Sequence, residues 1–92
     1  MPIRWTTPAA RDLTRICDYI EKEADSGTAR RIALTLYEGI DSLKQFPRRG
    51  RPGRRPGTLE FVFADLPYLV IYRIKDDVIE VIRILHGAQN WP

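Results

Sequence analysis

The chain has 92 residues with one histidine, one cysteine, and fifteen basic against twelve acidic side chains, a formal net charge of +3. That length fits a single domain, 1–92, which buries about 60–65% of the surface its unfolded chain exposes and leaves no room for a separate catalytic lobe. A lone Cys17 excludes an internal disulfide and suits a reducing cytoplasm. With no signal-peptide pattern and no bilayer span, a cytoplasmic protein away from membranes is expected.

Residues 2–6, around "IRW", suit an edge strand. The next segment, "TTPAARDLTRICDYIEKEA", predicts a helix with Thr7 as N-cap and Pro8 at the first helical position, where its missing N–H costs nothing. Leu13, Ile16, Cys17, Ile20 and Ala24 recur three and four apart and form one apolar stripe. Asp12, Arg15, Glu21, Lys22 and Glu23 fall on the opposite, polar side. Cys17 lies in the stripe and reads as a buried thiol rather than a nucleophile. "ADSGTA" breaks the pattern, and Asp25 or Ser26 can cap a second helix from Thr28 to Phe46, closed by Pro47. Its stripe is Ala29, Ile32, Ala33, Leu36, Ile40, Leu43 and Phe46. Two such helices on a short link predict an αα-hairpin facing a common core.

"FPRRGRPGRRPG" (46–57) carries Arg48, Arg49, Arg51, Arg54 and Arg55 with no acid among them. Without those five arginines, ten basic residues face twelve acids, so the basic character of the chain belongs to one loop. A loop of this kind attracts phosphates or an acidic protein, or is merely solvated.

The periodicity then changes to that of strands. "TLEFVFA" (58–64), "YLVIYRI" (68–74) and "VIEVIRILH" (78–86) are β-branched and aromatic, with turns at 65–67 and 75–77. The fold class expected is α+β: an N-terminal strand, an αα-hairpin, then a three-stranded antiparallel meander. A two-residue turn at Asp76 and Asp77 pairs 73 with 80, 71 with 82 and 69 with 84. One face then carries Tyr68, Val70, Tyr72, Ile79, Val81, Arg83 and Leu85. The other carries Leu69, Ile71, Arg73, Glu80, Ile82, Ile84 and His86. One face receives the helices; the other is expected to stay open as an apolar partner surface.

Most catalytic patterns are missing. One histidine and one cysteine cannot supply the usual zinc ligands, and "GRPGRRPG" is neither a Walker loop nor a dinucleotide fingerprint. No cofactor or metal is expected. Metal-independent RNA cleavage remains chemically open, because Arg73, Arg83, His86, Glu60 and the loop arginines include a base, an acid and cations for a phosphorane. Each has a structural alternative. Arg73 can pair with Glu80 across the strands, Arg83 can tie down the C-terminal segment, and His86 can anchor the "GAQNWP" tail.

Three stretches in this order resemble the RelE/ParE superfamily of toxins from bacterial type II toxin–antitoxin modules. "AARDLTRICDYI" is similar to its first helix and "SLKQFPRRGRPG" to the exit from its second. "PYLVIYRIKDDVIEVIRILHGAQNW" is the most specific match. The resemblance implies a toxin held in a hetero-oligomer by a cognate antitoxin, acidic and partly disordered alone. Leu69, Ile71, Ile82, Ile84 and Trp91 are its expected contacts. The resemblance implies either of two targets. ParE-like members poison DNA gyrase without nuclease chemistry, and RelE-like members cleave mRNA on the ribosome. Leu69 stands where RelE-like nucleases carry a basic residue, and the "HGAQNWP" ending is closer to ParE-like tails, so gyrase is the target expected. In the alternative, Arg83, His86 and Arg73 are the catalytic candidates. In either case Arg48, Arg49, Arg51, Arg54 and Arg55 grip the target or its RNA.

Overall fold

In a computed structural model, residues 1–87 are described; Trp91, an expected antitoxin contact, lies outside them. The elements run β1 (Ile3–Trp5), α1 (Thr7–Glu23), α2 (Ser26–Asp41), a 3-10 turn (Ser42–Lys44), β2 (Arg51–Pro52), β3 (Leu59–Val62), β4 (Tyr68–Lys75) and β5 (Val78–His86). The expected α+β order is what forms, with one strand added inside the basic loop. The five strands are ordered β1-β5-β4-β3-β2.

Helix α1 begins one residue earlier than expected. Thr6, not Thr7, is its N-cap: its hydroxyl accepts from the Ala9 N–H at 3.1 Å, and Pro8 sits in the first turn. Asp25 caps α2 as expected, accepting from the Thr28 N–H at 2.7 Å. α2 stops at Asp41, before its predicted end, and the chain tightens into the 3-10 turn. The apolar period is therefore broken before Phe46, which ends up 61% exposed instead of in the stripe. Cys17 is half-buried, and burial is the first cause raising its thiol above the usual range.

The core lies between the helical hairpin and one face of the sheet. Ala9, Leu36, Ile40 and Leu43 from the helical half meet Phe61, Tyr68, Val70, Tyr72, Ile79, Val81 and Ile84 from the strands. Ile84 was expected on the opposite face, and a β-bulge explains the change. Arg73 does pair with Glu80 and Tyr72 with Val81, but Ile71 then pairs with Arg83, Val70 with Ile84 and Leu69 with Leu85. Ile82 is the extra residue of β5 with no partner of its own, and one inserted residue reverses which face every later side chain meets. Ile84 and His86 thereby turn to the helix side, and Leu85 to the outer side.

The open apolar face expected from alternation does not form as such. Ile71 is fully buried and Ile84 is 2% exposed, so neither presents surface in this chain; Leu69 and Ile82 stay half-buried. Among the described residues, the large exposed apolar side chains are instead Met1, Tyr19, Leu34, Tyr37, Phe46 and Val62.

β1 pairs with β5 in parallel, Ile3 opposite Ile79 and Trp5 opposite Val81. Beyond Val81 no strand among the described residues lies beside this edge of β5, and the start of α1 takes over its hydrogen bonds. The Thr6 N–H donates to the Val81 carbonyl at 3.0 Å and the Thr6 hydroxyl to the Ile82 carbonyl at 2.8 Å. The Asp12 carboxylate accepts from the Ile84 N–H at 2.9 Å. Asp12 is therefore 4% exposed, not on the solvent side where the helical wheel had put it.

Candidate target-binding surface

The arginine loop is tied to the sheet at several points. Its middle enters the sheet as β2, with Arg51 opposite Glu60 and Pro52 opposite Leu59 on β3. Tyr72, fully buried on β4, reaches the loop with its hydroxyl, which accepts from the Gly50 N–H at 3.0 Å and donates to the Pro47 carbonyl at 2.7 Å. Burial raises the Tyr72 phenol above its ordinary range, so it remains a donor through neutral pH. Glu60, 7% exposed, accepts from Arg51 Nε at 3.3 Å and from the Arg54 backbone N–H at 3.4 Å. Arg49 lies with its guanidinium 4.8 Å from the Phe61 ring centroid, a cation–π contact, and donates to the Ser42 hydroxyl at 2.9 Å. All five loop arginines are exposed.

Of the catalytic candidates, Arg73 and His86 line different grooves. Arg73 Nε donates to Glu80 Oε1 at 2.7 Å, the cross-strand pair expected as its structural role, and Arg4 of β1 binds the other oxygen of the same carboxylate. Hydrogen bonding from Arg4, and then from Arg73, holds the Glu80 carboxyl below the usual range. Arg83 is paired as well, with Asp12 of α1: Nε to Oδ2 is 2.7 Å and Nη2 to Oδ1 is 2.9 Å; the C-terminal segment expected as its partner lies, beyond Gly87, outside the described residues. That hydrogen bonding raises the Arg83 pKa and fixes its charge.

His86 is exposed, its ring edge-on to Tyr68 with centroids 5.8 Å apart. It lines a groove of ≈450 Å³ against α1, with Asp12, Arg15, Ile16, Tyr19 and Tyr68. Arg73 instead lines an outer depression of ≈400 Å³ with Arg55, Thr58 and Ile82. A general acid–base pair must reach one reacting phosphate together. Arg73 and His86 line different grooves, whereas Arg83 is bonded to Asp12, a residue of the His86 groove. Among the described residues, no cluster of three or more His, Cys, Asp or Glu side chains can hold a metal ion, and no helix is long and apolar enough to cross a membrane.

Sequence reading missed Asp12, Glu60 as a loop anchor, and Tyr72. Tyr72 gave no signal because its alternation reads as plain core; its hydroxyl matters only once the loop has folded over it.

A helical hairpin on one face of a sheet whose first strand runs parallel to its last, with a cationic loop at the far edge, defines a toxin fold of the RelE/ParE type. The family model described as "ParE toxin of type II toxin-antitoxin system, parDE" matches residues 3–91, and the chain belongs to that family. It is 44% identical to "Putative toxin Y4kP" of Sinorhizobium fredii, covering 98% of this chain and 92% of that one. It is 38% identical to "Toxin RelE2" of Caulobacter vibrioides, over 92% and 93% of the two chains. A solved structure described as "Chromosomal ParDE TA system from P. aeruginosa" superposes with a TM-score of 0.88 at 27% identity, covering 94% of this chain and 95% of that one.

Proposed function

We propose that this toxin arrests growth in the cytoplasm by binding DNA gyrase and trapping it on cleaved DNA, performing no nucleolytic chemistry of its own. The observation carrying this reading is how the cationic candidates are engaged: Arg73 and Arg83 are each held by a carboxylate, and His86 lines a groove that Arg73 does not. The likeness to a solved ParDE toxin supports it too. The exposed loop arginines are the target contacts, acting through charge held at fixed positions.

A cognate antitoxin, acidic and partly disordered alone, neutralises the toxin in a hetero-oligomer. In support, the structural neighbour's description names a ParDE TA system. Leu69 and Ile82, half-buried on the sheet, remain its strand contacts, and the exposed Tyr19, Leu34 and Tyr37 of the hairpin suit the apolar side of an amphipathic segment.

The test is direct. Purified toxin is added to gyrase with relaxed plasmid and ATP, and in parallel to ribosomes programmed with mRNA. Lost supercoiling, accumulating linear plasmid and intact mRNA are expected. Codon-linked mRNA cuts with unaffected gyrase would overturn the reading in favour of the mRNA cleavage named for RelE-like toxins.

A further inference from the structure

The arginine loop has the composition of a flexible linker: five arginines, three glycines and three prolines within residues 46–57. Its folded geometry is the opposite of a linker. We propose that Tyr72 is the positioning residue of this loop, its hydroxyl a strut that sets the spacing of the exposed guanidiniums and so the toxin's grip on its target. The inference deepens the proposed function, since it rests on the loop being a target contact.

Three observations converge on the strut. First, the hydroxyl is used fully: it accepts from Gly50 and donates to Pro47, bonds of 3.0 and 2.7 Å that bracket Arg48 and Arg49. A hydroxyl at the end of a fully buried ring has few positions to choose from, so it fixes the backbone on both sides of those arginines.

Second, the loop residue it touches is one that tolerates no side chain. A Cβ at Gly50 would lie 2.7 Å from the Tyr72 hydroxyl and 2.9 Å from the Glu60 carbonyl oxygen. Glycine here permits close approach of the loop to the strut and is not needed for mobility. Third, the second half of the loop is held by an independent anchor on the neighbouring strand, since Glu60 takes both Arg51 Nε and the Arg54 N–H. The loop is thus gripped from β4 at one end and β3 at the other.

The energetic consequence concerns binding rather than folding. The Tyr72 ring fills the core whether or not it bears a hydroxyl, so Tyr72→Phe keeps its packing and removes only the strut. Rigid cations lose little entropy on meeting a partner, and a loosened loop must be ordered at that moment. The proposal therefore predicts weakened target engagement out of proportion to any loss of fold.

The test uses the full chain and two readouts. Limited trypsin digestion reports loop opening at the cleavable bonds after Arg48, Arg49 and Arg54, because Arg51 and Arg55 precede prolines. Growth arrest on controlled expression reports function without assuming the target. Tyr72→Phe should be cut in the loop about tenfold faster than wild type and should need about tenfold more toxin for the same arrest. Ile79→Val, a core change away from the loop brought to the same melting temperature, should retain arrest.

Unchanged trypsin resistance in Tyr72→Phe would overturn the strut. A loosened loop with undiminished arrest would overturn its positioning role. If Tyr72→Phe fails to fold, the wild-type Gly50 amide decides: slow hydrogen exchange is required, and free exchange refutes the strut. Loss of arrest in Tyr72→Phe beside a wild-type toxin that leaves gyrase untouched would instead reject the proposed target and leave the strut standing.

Discussion

Asp12 and Arg83, 71 positions apart, form a two-point ion pair in which Asp12 also receives the Ile84 backbone N–H. One carboxylate thus closes the edge of β5, holds α1 on the sheet and engages the Arg83 guanidinium at two points. Asp12→Ala strands a guanidinium and a buried N–H together and should cost about 2–4 kcal/mol, read from urea denaturation midpoints. Arg83→Leu should cost less, because Asp12 keeps its Ile84 donor. A double-mutant cycle should therefore show strong coupling between the two sites.

His86 and Arg73 give the sharpest discrimination between the two candidate activities. A general acid–base group or phosphorane-stabilising cation contributes on the order of 10²–10⁴ in rate. His86→Ala and Arg73→Ala are expected to leave growth arrest nearly intact when titrated by inducer. A collapse of toxicity in a folded variant would make the nuclease assignment the better one.

The loop arginines should behave differently. Arg48→Ala with Arg54→Ala removes two exposed charges without touching the Tyr72 or Glu60 anchors. Gyrase inhibition by this double variant should weaken about tenfold at low ionic strength. The deficit should shrink as salt screens the wild-type advantage, and inhibition titrations at two salt concentrations measure it.

Glu80 sets an acid limit on the sheet. Its carboxyl is held below the ordinary range by Arg4 and Arg73, so the folded state binds its proton less readily than the unfolded chain. The stability this contributes is present above the unfolded value, about pH 4.3, and is lost as pH falls through the lower, folded value. The wild-type melting temperature should fall below about pH 4.3 more steeply than that of Glu80→Gln.

The β4–β5 turn carries a small reserve of stability. Asp76 and Asp77 both have left-handed backbone, φ 53° and 59°, the geometry of a two-residue hairpin turn that prefers asparagine and glycine. Asp77→Gly should stabilise the protein by about 0.5–1 kcal/mol in thermal or urea unfolding, with growth arrest unchanged.

Local periodicity was enough to reveal most of the architecture. The helical stripes, the meander and its hairpin turn, the Asp25 cap and the arginine loop all depend on residues within a few positions of one another, and the chain wrote them legibly. Resemblance in the order "PYLVIYRI…RILHGAQNW" added the family, which the family match bears out.

What the tertiary structure alone decided was which side chains face each other. A bulge of one residue at Ile82 moved Ile84 into the core and His86 to the helix side, and alternation cannot register such an insertion because the pattern on each side of it is intact. The capture of Arg83 by Asp12 and of the loop by Tyr72 and Glu60 likewise joins residues from different elements, whereas the Arg73–Glu80 pair was already legible in the hairpin register. The sequence by itself determined which elements form and where charge is concentrated, because those are local free energies. Which cations are spent on structure and which stay available to a partner is a matter of packing geometry, and only the folded chain sets that.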